Sequence, residues 1–278
     1  MWIVQYATSK ASINSSDLRP VPQLGSISGT STFGFGNYDA MTAKLEKRFS
    51  RGLQFITSYT WGHALANSGT TLSGSSGFGY RDNRNISTSY ANAAWDIRHN
   101  FTTGFNYEIP FGRGKAHGAN MNRALDIVAG GWMVNGIFSY HTGQPFTVRS
   151  NGCQGVWASC YPDLVAGTDP NAEPAGGRRP QEWFNTANFL APASLTQGNL
   201  GLQTNYGPSL RNLDFSIAKN FKFTERWKMQ FRGESFNFAN TPQFSLPNNN
   251  RQDPNFGIVT STQAGSERHI QFALRLEF

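Results

Sequence analysis

The chain has 278 residues, with 24 lysines and arginines against 17 aspartates and glutamates, a net charge of +7 and only 15% charged residues. Its mean hydropathy of −0.45, with 14% aromatic residues, takes its polarity from Asn, Ser, Thr and Gln, which excludes a disordered basic tail. The most apolar stretch, Ile127–Phe138, is interrupted by Gly130, Gly131 and Asn135, so no helix of ~18 apolar residues can span a bilayer, and two cysteines exclude a four-thiolate zinc site.

The elements read in chain order are strands, because apolar side chains recur at every second residue. A weak strand covers residues 2–7. Residues 38–49 place Met41, Ala43, Leu45 and Phe49 on one parity, with Lys44, Glu46 and Arg48 on the other. After the turn Ser50-Arg51-Gly52, residues 53–63 line up Leu53, Phe55, Tyr59 and Trp61. Residues 95–109 alternate Trp95, Ile97, Phe101, Phe105, Tyr107 and Ile109 with Asp96, Arg98, Asn100, Thr102, Asn106 and Glu108. The segment Met121–Gly130 is compatible with one or two helical turns.

Residues 131–142 continue with Trp132, Val134, Phe138 and Tyr140. Residues 211–223 and 227–238 form a pair joined by Thr224-Glu225-Arg226. In the second of these the aromatic parity slips after Glu234, which predicts a bulge there. The last strand, 268–278, sets Ile270, Phe272, Leu274, Leu276 and Phe278 against Gln271, Ala273, Arg275 and Glu277. Connections alternate short and long, so the long ones gather at one end. Long strands, this loop pattern and an aromatic-crowded apolar parity opposite a hydrophilic one predict an all-β, antiparallel up-and-down transmembrane barrel of about eight strands.

Aromatics near strand ends, namely Trp61, Trp95, Tyr107, Trp132, Tyr140 and Trp227, are the candidate interfacial girdle. The polar parity, with Asp96, Arg98, Glu108, Gln230, Arg232 and Glu234, is the candidate lumen face. Outer-membrane lipid is the partner this pattern implies.

Several ordered segments resemble the C-terminal barrel of TonB-dependent outer-membrane receptors, most closely the Oar-like receptors of Acidobacteria. They are NYDAMTAKLEKRFSRGLQFITSYTWGHAL (Asn37–Leu65), WDIRHNFTTGFNYEIPFGRGK (Trp95–Lys115) and GGWMVNGIFSYHTGQPFTV (Gly130–Val148). WFNTANFLAP (Trp183–Pro192), the segment Arg211–Phe244 and the terminal strand complete the set. The resemblance implies one part of a 22-stranded barrel. Its partners would be the plug and remaining strands of the receptor, the TonB complex reached through an N-terminal part, and the barrel-assembly machinery, for which Phe278 would be part of the signal. Met1-Trp2-Ile3-Val4 does not read as a signal peptide, and no plug sequence is recognised, so residues 1–278 are expected to be a single barrel segment.

Other chemistry is weakly supported. Cys153 and Cys160 sit in the longest connection, where an oxidising compartment favours a loop disulfide over two free or otherwise paired thiols. The run Gly112-Arg113-Gly114-Lys115 fails as a phosphate loop, because Ile109 and Ala116 occupy the required Gly and Ser/Thr places. Histidines 63, 99, 117, 141 and 269 show no metal-ligand spacing, and Asp96 and His99 lie on opposite strand faces. No catalytic residue, cofactor or nucleic-acid partner is expected. The functional expectation is a transport component for a siderophore, glycan or similar ligand. The alternative is a self-sufficient small barrel with a structural or adhesive role.

Overall fold

A computed structural model describes residues 34–67, 81–82, 85–151, 160–194, 196–223 and 227–278. Seven long strands dominate it: β1 (Gly36–Ser50), β2 (Leu53–Ala66), β3 (His99–Glu108), β4 (Trp132–His141), β5 (Leu210–Lys222), β6 (Lys228–Phe236) and β7 (His269–Glu277). Each pairs antiparallel with the next in chain order, and a two-residue piece, Ala91–Asn92, joins the end of β2. Among the described residues, β1 and β7 are each paired on one side only. The expected strand over 2–7 lies outside the described residues.

The turn at Arg51 and Gly52 puts both residues at positive φ, 52° and 81°, the geometry that lets two right-twisted strands reverse directly. Residues Arg123–Ala129 form a helix, α1, between β3 and β4. Asn122 caps it by accepting the Leu125 N–H at 2.8 Å, as a short polar side chain at that place should.

Two sequence expectations are corrected. The strand expected from Trp95 begins at His99, because residues 93–95 turn, with the Asp96 N–H donating to the Ala93 carbonyl at 2.9 Å. The Asp96 carboxylate accepts the Ala64 N–H at 2.7 Å, so that side chain serves the end of β2 rather than a strand of its own. The bulge expected after Glu234 is also absent, since pairing runs unbroken to Phe236 opposite His269. The parity slip instead marks the strand's end, where Asn237 takes φ 47° and redirects Phe238 onto Phe215, with ring centroids 5.3 Å apart. The irregularity in the ladders lies between Lys47 and Ser50.

The packed core is in the long connections. Phe146, Val148, Tyr161, Phe184, Phe189, Leu200 and Leu202 are buried together, with Ala91, Leu164, Trp183 and Phe256 against them. Short ladders knit this cap: Pro145–Phe146 with Asn205–Tyr206, and Asp163–Leu164 with Phe189–Leu190. Arg81 ties another connection to it, donating to Gln197 Oε1 at 3.2 Å and to the Gly198 and Leu200 carbonyls while lying over the Tyr161 ring. Burial lowers its guanidinium pKa from the ordinary value, against an opposing pull from Tyr161.

Asn237 provides a test of the β6 exit. It is 4% exposed, its side chain donates to the Thr241 and Ser266 carbonyls at 2.9 and 2.7 Å, and it accepts the Thr241 N–H at 2.9 Å. Asn237→Ala strands these buried groups in a left-handed backbone and should destabilise the fold by about 2–4 kcal/mol, read as a lowered urea midpoint in micelles. A loss within ~0.5 kcal/mol would show that the exit is held by other contacts.

Candidate functional site: a two-faced sheet

Because side chains alternate along every strand, the registers decide which parities meet across the sheet. Successive pairings align Phe55, Phe105, Gly136, Phe215, Ser235 and Ile270 in one row. A second row of the same face holds Leu53, Tyr107, Val134, Ile217, Gly233 and Phe272. At Gly136 the missing side chain makes room for a neighbour, since a Cβ there would lie 2.6 Å from Phe105 Cε1. The aromatic ring of β3 therefore covers the glycine of β4.

This face shows its apolar groups rather than hiding them. Phe272 is 73%, Leu274 67%, Leu45 62% and Met41 57% exposed. Contiguous apolar exposure on this scale marks a surface made for something other than water. Aromatics collect near both of its ends. Trp61 and Tyr140 lie toward the long connections, with Tyr59 Oη hydrogen-bonded to His99 Nδ1 at 2.8 Å. Tyr107, Trp132 and Trp227 lie toward the short turns, Trp227 beside Phe278 at 5.5 Å between ring centroids. Tyr140 and Trp132 are eight residues apart on β4, about 27 Å along the strand at ~3.4 Å per residue. A tilt of ~40° reduces that to about 21 Å along the normal, comparable with the ~25 Å apolar band of an outer-membrane barrel. Trp95 precedes β3 in the turn and is exposed.

The opposite face carries the polar row Gln54, Asn106, Asn135, Ser216, Glu234 and Gln271. Asn135 donates to Ser216 Oγ at 3.1 Å, Gln271 donates to Glu234, and Arg232 pairs with Glu234 at 3.1 Å. A cavity of about 420 Å³ opens on this row. The buried Asn106 Oδ1 has no hydrogen-bond partner among the described residues. The face is not uniformly polar, because Ile56 and Ile137 flank Gly104 on it.

Of the residues singled out from the sequence, Glu108, Gln230, Arg232 and Glu234 share this face. Arg98 continues its parity opposite Gly62. Asp96 is 1% exposed, pairing with Arg98 at 3.4 Å, so it is an internal strut and lines no open space. Asp96 and His99 have separate partners, Ala64 and Arg98 for the one and Tyr59 for the other. Cys160 is disulfide-bonded, and Cys153 lies outside the described residues. Phe278 is 90% exposed at the short-turn end. Sequence reasoning missed the row through Asn106, Asn135 and Ser216, whose alternation was visible but whose alignment only register could give.

A family model described as an outer membrane beta barrel domain matches residues 3–271. The chain belongs to that family, and its place is the bacterial outer membrane, in contact with membrane lipid. No curated protein and no solved structure matched it.

Lipid contact by the apolar face makes a paired test possible. Phe105→Arg places a charge in the middle of that face and should cost about 2–4 kcal/mol of stability in phospholipid vesicles, while Gln54→Arg on the polar face should cost under ~1 kcal/mol. Urea titration of both variants reads the difference. Equal losses would mean that the faces are not divided between lipid and water.

Proposed function

We propose that this chain is the C-terminal barrel part of a TonB-dependent outer-membrane receptor that takes up a siderophore, glycan or similar ligand. The observation that carries the reading is the two-faced meander of seven strands with an open edge at each side among the described residues. Unpaired edges in a membrane must find partners, because backbone groups in hydrocarbon need them, and on this reading further strands of the receptor supply them. The ordered resemblance of Asn37–Phe278 to that receptor class supports the same reading. On this reading the polar face, with Arg232, Glu234 and the open acceptor of Asn106, contacts a plug domain. Phe278 acts in assembly, the chain has no enzymatic activity of its own, and energy arrives from the TonB complex through the receptor's N-terminal part.

The test is made in the source bacterium. Antibodies against the β1 segment should detect an outer-membrane polypeptide that crosslinks in the periplasm to the TonB protein, and whose ligand uptake is lost when that complex is inactivated. Detection only as a heat-modifiable species near 30.7 kDa that never crosslinks would exclude the receptor reading in favour of a self-sufficient small barrel.

A further inference from the structure

Where the cap meets the sheet, a cavity of about 570 Å³ is lined by Arg98, His99, Arg178, Arg211, Trp183 and Tyr206, together with backbone around Gly143 and Gly207. Three arginines line this space, and among the described residues no carboxylate does. Their charges are only partly answered. Arg98 pairs with the buried Asp96 at 3.4 Å, and Arg178 reaches the largely exposed Glu173 at 3.4 Å. Arg211 has no carboxylate partner among the described residues, and its side chain rests on the Tyr140 ring with the guanidinium 5.8 Å from the centroid.

The site is held in place by its surroundings. Trp183 donates its indole N–H to the Tyr206 carbonyl at 2.9 Å, and Arg178 lies over its ring at 5.7 Å. Asn92 donates to Tyr206 Oη at 3.1 Å, fixing that phenol to the end of β2. The His99 N–H donates to Thr142 Oγ1 at 3.1 Å, which sets the distance between the start of β3 and the end of β4. Planar guanidiniums on fixed aromatic supports are suited to bidentate contact with oxyanions. Bringing three cations together without a lining anion is unfavourable until one binds.

We propose that this cavity binds an oxyanion, a phosphate or carboxylate group, with Arg211 as its principal unneutralised contact. As a substrate site it rests on the uptake reading, since the cavity sits among the long connections. As an anion site it does not, because binding needs no energising partner.

Calorimetric titration of the full chain in zwitterionic micelles, with pyrophosphate and with citrate, tests it. Binding should weaken about tenfold in Arg211→Gln and less in Arg211→Lys, and should fall with added salt. Arg113→Gln, at the short-turn end, should leave it unchanged. Arg211→Gln should keep the fold, because among the described residues the side chain makes no hydrogen bond or ion pair and rests on the Tyr140 ring, and an unchanged urea midpoint verifies this. Competition by phosphatidylcholine vesicles containing phosphatidylglycerol, absent with phosphatidylcholine alone, would identify the oxyanion as a lipid headgroup. Failure of those vesicles to compete would identify it as a soluble ligand. No binding of either probe, or equal binding by wild type and Arg211→Gln, overturns the proposal. Arg211-dependent binding without TonB-dependent uptake would remove the transport reading and leave the site.

Discussion

The structure depends on one constraint, the lateral hydrogen bonding of strand to strand. Crossing a bilayer with strands requires every backbone N–H and C=O at that depth to find its partner sideways, and each ladder then fixes a register. With a side-chain period of two, a slip of a single residue in any ladder would carry one strand's apolar set to the wrong face. The six ladders from β1 to β7 all hold the same parity, from Met41 opposite Trp61 to Phe231 opposite Leu274. The irregularity between Lys47 and Ser50 is confined to the approach to the first turn. Both faces are consequences of this agreement, and neither could be read from any one strand.

The cap obeys the opposite requirement. Its backbone is irregular and partly buried, so its polar groups need side-chain partners where a ladder is absent. The amide and hydroxyl residues that set the composition supply them. Asn171 donates to the Thr204 carbonyl at 2.5 Å and accepts the Tyr206 N–H at 2.8 Å, and Asn205 donates to the Pro170 carbonyl at 2.6 Å. Thr147 Oγ1 accepts the Gln203 N–H at 2.9 Å, while Asn249 donates to the Thr147 carbonyl at 2.7 Å. The backbones also approach closely where the cap joins β4. A Cβ on Gly143 would lie 1.8 Å from the Gly207 carbonyl oxygen, so only glycine fits. The polarity that looked like loop character is therefore what allows Phe184, Phe189 and Val148 to form a core within the connections.

The strands were legible because period two is a local signal, and the seven long segments expected from residue 38 onward each hold a strand among the described residues. Boundaries were less so. Trp95–Arg98 alternates as well as any strand, yet a buried Asp96 bonded to Ala64 claims that segment for a turn. The slip at Phe236 looked like a bulge because a left-handed Asn237 and an extra strand residue leave the same mark in sequence. The cap core was illegible for a different reason. Phe146, Tyr161, Phe184 and Leu200 are far apart in the chain and follow no period, so nothing local announces that they pack together. The same holds for Arg98, Arg178 and Arg211, which only the junction of cap and sheet brings to one cavity.

The exceptions on the apolar face follow from the same physics. Its charged side chains within the registered pairs are Asp39, Lys47, Arg211 and Lys219, and each sits toward a strand end. Lys219 is 4% exposed, which would be prohibitive for a lone ammonium in hydrocarbon. It lies beside the end of α1, where its ammonium donates to the Val128 carbonyl at 3.0 Å and to the Gly130 carbonyl, with the Trp132 ring 4.6 Å away. The last carbonyls of a helix carry partial negative charge and lack intrahelical partners, so they suit a cation. The short helix between β3 and β4 thus does more than close a connection, since its C-terminal carbonyls hold the one lysine that β5 places on the lipid side. At the other rim Arg211 rests on Tyr140 and meets the cap's cavity instead of a carbonyl. Both lipid-side cations of β5 are carried away from the bilayer centre by their position along the strand, and aromatic rings mark the depth at which each leaves the apolar band.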